Sequence, residues 1–498
     1  MAVKVIMLIL FFSVMIGVGI YCRKHATDVN GFVLGGRSVG PWLTAFAYGT
    51  SYFSAVIFIG YAGQFGWRFG LASTWIGIGN AIIGSLLAWV VLGRRTRVMT
   101  QHLESKTMPE FFENRFDSKM LKIVASIIVF VFLIPYTASL YNGLSRLFGM
   151  AFNLDYTVCI IAMAVLTGVY VIAGGYMATA INDFIQGIVM IVGIILVIAA
   201  VLRSNGGFTE ALDALSRVSD EAVSDTPGVF ASFFGPDPFG LLCVVILTSL
   251  GTWGLPQMVQ KFYAIKNEKA IETGTIISTI FAVIVAGGCY FLGGFGRLYD
   301  IDAASMGYDA IIPAMIERLA PILIAIVVIL VLSASMSTLS SLVLASSSTL
   351  TLDLIKDNIV KKMDEKKQVL IMRVFIVIFI AISAIIAVVQ YKSNVTFIAQ
   401  LMGISWGALA GAFLAPFIYS LYWKGVTKLS VIVNFIFGCG IMVANMLCKE
   451  AFPTILQSPI NCGAFAMLAG LIIVPVVSLI TPKLSRDKVD SVFACIKK

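Results

Sequence analysis

Charge is scarce in this 498-residue chain: Asp, Glu, Lys and Arg make up 12% of it, against about 25% in an average soluble protein. Hydrophobic residues make up 59%. A soluble core cannot hide that much apolar surface, because most of any folded surface must still face water. That excludes an ordinary cytosolic enzyme and a disordered chain. The eight cysteines, Cys22, Cys159, Cys243, Cys289, Cys439, Cys448, Cys462 and Cys495, show no CxxC spacing and mostly lie in apolar stretches. They exclude a disulfide-stapled secreted domain and read as packed free thiols. Cys448 and Cys462 flank one loop and are placed to pair if it faces an oxidising compartment. The only two histidines, His25 and His102, lie in charged loops. A histidine proton relay within the membrane is therefore not expected, nor a metal centre. A membrane enzyme would need a nucleophile–base or acid-pair constellation, and none is visible.

What the chain has in abundance is long apolar runs. A membrane span needs roughly 20 apolar residues. The first run, Val5 to Tyr21, is read as an uncleaved span, because no small-residue cleavage site follows it and Arg23 and Lys24 sit on its far side. Further spans are expected at 41–66, 69–92, 120–147, 156–175, 179–202, 239–262, 271–296, 321–352, 369–390, 395–422, 428–447 and 463–482. The chain thus reads as an all-α polytopic membrane protein with about thirteen transmembrane helices. Alternate connections gather most Lys and Arg: Arg23 to Arg37, Arg94 to Lys122, Lys261 to Lys269, Lys356 to Arg373, Lys424 and Lys428, and Lys483 onwards. Positive charge stays inside, so the N-terminus is expected outside and the C-terminus inside. The same bias explains the net charge of +9 without nucleic acid. The long outer loop, about 203–238, carries six acids and helical spacing in its middle, as in a solvated lid or surface helix.

Polar groups that a membrane should exclude mark function. The 41–66 span reads Ala47-Tyr48-Gly49-Thr50-Ser51-Tyr52-Phe53-Ser54 in its middle. It suits either a helix broken beside a cavity or ion or close packing through small residues. The 321–352 span reads Ser333-Ala334-Ser335-Met336-Ser337-Thr338-Leu339-Ser340-Ser341. Positions 334, 337, 338 and 341 share one helix face. The hydroxyls of Ser337, Thr338 and Ser341 on that face suit a hard cation or interhelical glue. Asp183 is the one acid placed within a span. It needs a partner there, and with no Lys or Arg expected in a span the partner is a bound cation, unless Asp183 caps a helix near the interface.

Together these segments resemble the sodium/solute symporter family, which includes sodium/proline, sodium/galactose and sodium/sialic acid transporters. The resemblance runs through about residues 5–445. It is carried by Leu34-Gly35-Gly36-Arg37-Ser38, by Gly174-Gly175 with Asp183 and Gln186, by the 337–341 run, and by Gly251-Thr252-Trp253-Gly254-Leu255-Pro256-Gln257. It implies a leucine-transporter-like fold in one integral membrane domain. Two inverted five-helix repeats would span 41–202 and 239–422, with peripheral additions at 1–22 and 428–498. It implies a first sodium site from carbonyls of Thr50, Phe53 and Ala334 and hydroxyls of Ser337 and Thr338. A second would come from Asp183, Ser337, Ser340 and Ser341, making two sodium ions per solute.

No member's recognition pattern transfers intact. Tyr52 stands where the proline transporters carry an aspartate. No arginine lies between Ile127 and Tyr136, where the sialic acid transporters have one, and the galactose transporters' glutamine falls near Ile57. Solute-pocket candidates are Ser54, Ile57, Phe58, Tyr61, Gln64, Asn80, Thr248, Thr252 and Trp253. The expected function is sodium-coupled symport of proline or another amino acid by alternating access. Alternatives are a sialic acid or monocarboxylate symporter and a proton-coupled carrier using Asp183. The expected partners are a small solute and the lipid bilayer, with no nucleic acid or protein partner, in a bacterial inner membrane.

Overall fold

The computed structural model describes residues 2–23, 26–221, 223–356, 363–393 and 398–496. Lys24 and His25, named above, residues 357–362 of the stretch from Lys356 to Arg373, and residues 395–397 of one expected span lie outside them. Among the described residues all regular structure is helical, apart from two isolated β-bridges.

The helices that build the bundle are α1 (Ala2–Cys22), α2 (Pro41–Tyr52), α3 (Val56–His102), α4 (Lys119–Phe152), α5 (Tyr156–Ser204), α6 (Pro238–Gly254) and α7 (Pro256–Ala264). They continue with α8 (Glu268–Leu298), α9 (Pro321–Ile355), α10 (Glu365–Ser393), α11 (Ile398–Tyr422), α12 (Lys428–Leu447) and α13 (Pro459–Ile480). Each of the thirteen expected segments is largely helical where described. By length and apolarity, however, ten described helices qualify to cross a membrane, or eleven if the bent pair α6–α7 is one span. The count falls because the chain breaks and joins helices where an apolar window cannot register it. Segment 41–66 is cut after Tyr52. Helix α3 runs for 47 residues, about 70 Å if it were straight, more than twice a bilayer core. It turns at Gly70 (φ 61°, ψ −142°). Helix α5 turns the same way at Gly175 (φ 56°, ψ −153°). Only glycine takes that backbone without strain.

Helices α9 and α11 form the centre. In each, 83% of the most apolar stretch is buried, against 22% in α1 and 33% in α10. Helix α9 packs on α4 and α5, and α11 on α4, α6, α12 and α13. Helices α1 and α10 lie outside, against α5. Their outer faces show Ile6, Ile9, Leu10, Ile385 and Val389, the surface expected of helices bathed in lipid. Arg115, wholly buried on the short helix Met108–Phe116, donates to the carbonyls of Ser420 and Trp423 and so caps the end of α11. Burial pushes its pKa down to about 10, so it keeps its charge at neutral pH.

Two expectations about loops have clear outcomes. The 203–238 connection carries a helix, Phe208–Ser216, whose Ala211 and Leu215 are buried against Phe230 and Phe295. It is a packed cover, anchored by Arg297 to Asp220 at 2.9 Å. Cys448 and Cys462 are both free. Cys462 is buried and Cys448 exposed, so the loop between them is not cross-linked.

Candidate ion and solute site

Helix α2 stops inside the bundle. Residues Thr44 to Tyr52 are all buried. Phe53 leaves the helix with φ −100° and ψ 110°, its N–H closing the last turn on the Gly49 carbonyl at 3.1 Å. Gly49, Thr50 and Ser51 are weak helix formers, and Gly49 is required for packing, since a Cβ there would run into the Phe281 ring. Carbonyls in the last turn of a helix lose their partners four residues on. Helix α9 supplies replacements. Ser337 Oγ donates to the Thr50 carbonyl at 3.0 Å, and Thr338 Oγ1 to the same oxygen at 3.2 Å. Thr338 Oγ1 also lies 3.4 Å from the Ser51 carbonyl, and both hydroxyls lie 3.0 Å from the Ala334 carbonyl. The freed Ala55 N–H donates to Ser335 Oγ at 3.3 Å.

Four of the five residues expected at a first sodium site therefore meet as one mesh of carbonyl and hydroxyl oxygens. Phe53 is the first residue of the break and is buried, its ring stacked on Tyr52 at 4.4 Å. No described hydrogen bond brings its carbonyl into the mesh.

The second expected set does not assemble in the same way. Ser340 Oγ turns back to the Ser337 carbonyl at 2.8 Å. Ser341 Oγ lies 2.8 Å from Ser51 Oγ. Asp183 is wholly buried inside α5, two turns past Gly175, and neither carboxylate oxygen has a hydrogen-bond partner. It is not a helix cap. Its neighbour is Lys261, whose Nζ lies 3.9 Å from Asp183 Oδ2 and donates to Ser341 Oγ at 2.9 Å. This corrects the expectation that Asp183 has no cationic partner in a span. Lys261 falls inside the expected 239–262 span, yet it reads from sequence as one of the flanking basic residues. Every residue of α7 is buried, because Pro256 bends the chain by 47° and turns α7 back into the bundle.

The solute candidates fall into two groups. Around the break, Thr248 Oγ1 and Ser249 Oγ donate to Asn80 Oδ1 at 2.9 and 3.1 Å. Tyr52 OH donates to the Thr248 carbonyl at 2.5 Å, Thr252 Oγ1 to the Gly84 carbonyl at 3.1 Å, and Trp253 Nε1 to the Ile83 carbonyl at 2.9 Å. Ser54 Oγ accepts from the Val56 N–H at 3.2 Å. The other group runs along α3: Ile57, Phe58 and Tyr61 are buried, Tyr61 OH reaches the Ala399 carbonyl at 3.3 Å, and Gln64 lies further on. Sequence reasoning missed Tyr136 and Trp406. Their rings are 5.8 Å apart, Trp406 is 5.9 Å from Tyr52, and the Tyr136 hydroxyl and Trp406 Nε1 are buried without partners. Pro135 inside α4 was the available signal, since a proline there disturbs the helix beside Tyr136.

Two broken helices packed against each other and against α9, with oxygens bared at one break, define a membrane transporter that binds an ion and a solute. The model of the sodium:solute symporter family matches residues 32–438, and the chain belongs to that family. It is 28% identical over 488 residues to the osmoregulated proline transporter OpuE of Bacillus subtilis, covering 96% of this chain and 95% of that one. It is 30% identical over 450 residues to sodium/proline symporter 2 of Staphylococcus saprophyticus, covering 88% and 85%. Among solved structures, a substrate-bound, outward-open sodium-coupled sialic acid symporter superposes with a TM-score of 0.73 at 17% identity, over 97% of this chain and 99% of that one. The fold is leucine-transporter-like, and the protein is a sodium-coupled solute symporter.

Proposed function

We propose that the chain carries a small amino acid, L-proline first, across the bacterial inner membrane with sodium by alternating access. The observation that carries this reading is the pair of α9 hydroxyls on the Thr50 carbonyl at the break in α2. Hard oxygen ligands that already point at one another need little rearrangement to take a hard cation between them. Thr50, Phe53 and Ala334 would offer carbonyls, and Ser337 and Thr338 hydroxyls. Sodium bound there ties α2 to α9 and holds one open state. The solute then docks at the break, among Ser54, Asn80, Thr248, Thr252 and Trp253, beside amides that favour a carboxylate. The two proline-transporting relatives support the solute class. Tyr52 means that recognition differs in detail from the aspartate-bearing transporters.

The breaks at Phe53 and at Leu255–Pro256 support the division into inverted repeats 41–202 and 239–422, each with its first helix broken. Segments 1–22 and 428–498 are then peripheral additions. In this reading the N-terminus is outside, the C-terminus inside, and no residue is catalytic. One sodium moving through an inside-negative 100 mV releases about 2.3 kcal/mol, enough for roughly a fifty-fold gradient of a neutral solute.

A thermal-shift screen of purified protein tests the reading, with L-proline, other amino acids, sialic acid, sugars and monocarboxylates in sodium and in choline. A ligand that binds only the folded state raises the melting temperature. A sodium-dependent rise with L-proline or another amino acid is expected. A rise with sialic acid or a monocarboxylate alone would overturn the solute assignment. Transport driven by a pH gradient and indifferent to sodium would overturn the coupling ion.

A further inference from the structure

The family resemblance implies a second sodium between Asp183 and the α9 serines. That place is filled by a side chain. Lys261 Nζ lies 2.9 Å from Ser341 Oγ and 3.9 Å from Asp183 Oδ2, with its other side over the Tyr176 ring at 5.2 Å. The side chain is 3% exposed and that of Asp183 wholly buried. An ion ligated by Asp183 and Ser341 would have to stand where the ammonium stands.

The charge count points the same way. Asp183 with Lys261 is a neutral pair. A sodium ion added to it leaves one uncompensated positive charge away from water, a strongly disfavoured arrangement. Without Lys261, the buried carboxylate would demand a mobile cation. The hydroxyl ligands agree: Ser340 Oγ is committed to its own helix, and Ser337 Oγ to the first site. Ser341 Oγ already accepts from Lys261 and lies against Ser51 Oγ at 2.8 Å.

We propose that Lys261 serves as a tethered second cation, so that this transporter binds one sodium ion per chain at the α2 break and none at Asp183. This rests on the sodium-coupled reading above. It also differs from the two-ion expectation: because the lysine's charge is covalently attached, it holds α5, α7 and α9 together without crossing the membrane as cargo.

The test counts ions directly. Radioactive sodium-22 is titrated onto the purified full-length chain in lipid nanodiscs, without solute, for the parent protein, Lys261→Arg, Lys261→Gln and the double variant Lys261→Gln/Asp183→Asn. The parent and Lys261→Arg should bind one ion with a Hill coefficient near one. Lys261→Gln should bind two, with a Hill coefficient above one, and the double variant should return to one. Two ions bound by the parent would overturn the proposal even if every variant failed to fold. So would a folded Lys261→Gln that still binds one. A parent that binds no sodium would instead remove the sodium-coupled reading, and this proposal with it.

Discussion

Ser337 and Thr338 each use one oxygen to replace a helical hydrogen bond that α2 has lost. An alanine at either position takes one of the two donors from the Thr50 carbonyl and removes an ion ligand. A charge-assisted contact is worth about 1.5–3 kcal/mol, so Ser337→Ala and Thr338→Ala should each weaken sodium binding by roughly tenfold or more, measured by sodium titration of the melting temperature. Ser340→Ala should change sodium affinity by less than about twofold, because the Ser340 hydroxyl bonds only to its own helix. The seryl run and the buried acid were both readable in the sequence, because polar atoms among apolar ones stand out. Lys261 was not read for what it is. Its position at the edge of an apolar run is equally that of a flanking inner charge, and only the bend at Pro256 turns it inward.

The breaks that make the site are properties of helices, and an apolar window sees them poorly. The middle of α2 was readable as a weak point, since glycine and hydroxyl residues cluster there. The turns at Gly70 and Gly175 fall beside expected span boundaries, 66/69 and 175/179, but the sequence did not show that the helices run on across them. Gly175→Ala should be strongly destabilising. Its φ of 56° is costly for alanine, by about 1–3 kcal/mol, and a Cβ there would lie 2.9 Å from the Phe32 ring. Lowered yield and a fall in melting temperature would show it. Pro256→Ala acts differently. It restores an N–H and lets the α6–α7 junction straighten, so the protein should fold while solute transport drops at least tenfold, measured in proteoliposomes.

Across the whole molecule, the share of each helix that is buried sorts the chain into a polar-lined centre and a lipid-facing rim. Helices α9 and α11 hold the centre, while in α1, α10, α12 and α13 fewer than half of the residues along the most apolar stretch are buried. The all-helical membrane class followed from composition, and the family from a few short motifs. Solute identity was not legible, because it depends on side chains from α2, α3, α4, α6 and α11 that converge only in the fold, Tyr136 and Trp406 among them. The central claim is that sodium at the α2 break drives solute movement through this bundle. Its most direct test is uptake of labelled L-proline into proteoliposomes holding the purified chain, with an imposed inward sodium gradient and inside-negative potential, compared with choline. Accumulation above the outside concentration only with sodium, abolished by the double variant Ser337→Ala/Thr338→Ala, is the predicted result. Equal accumulation in choline, or sodium-driven accumulation that survives loss of both hydroxyls, would contradict it.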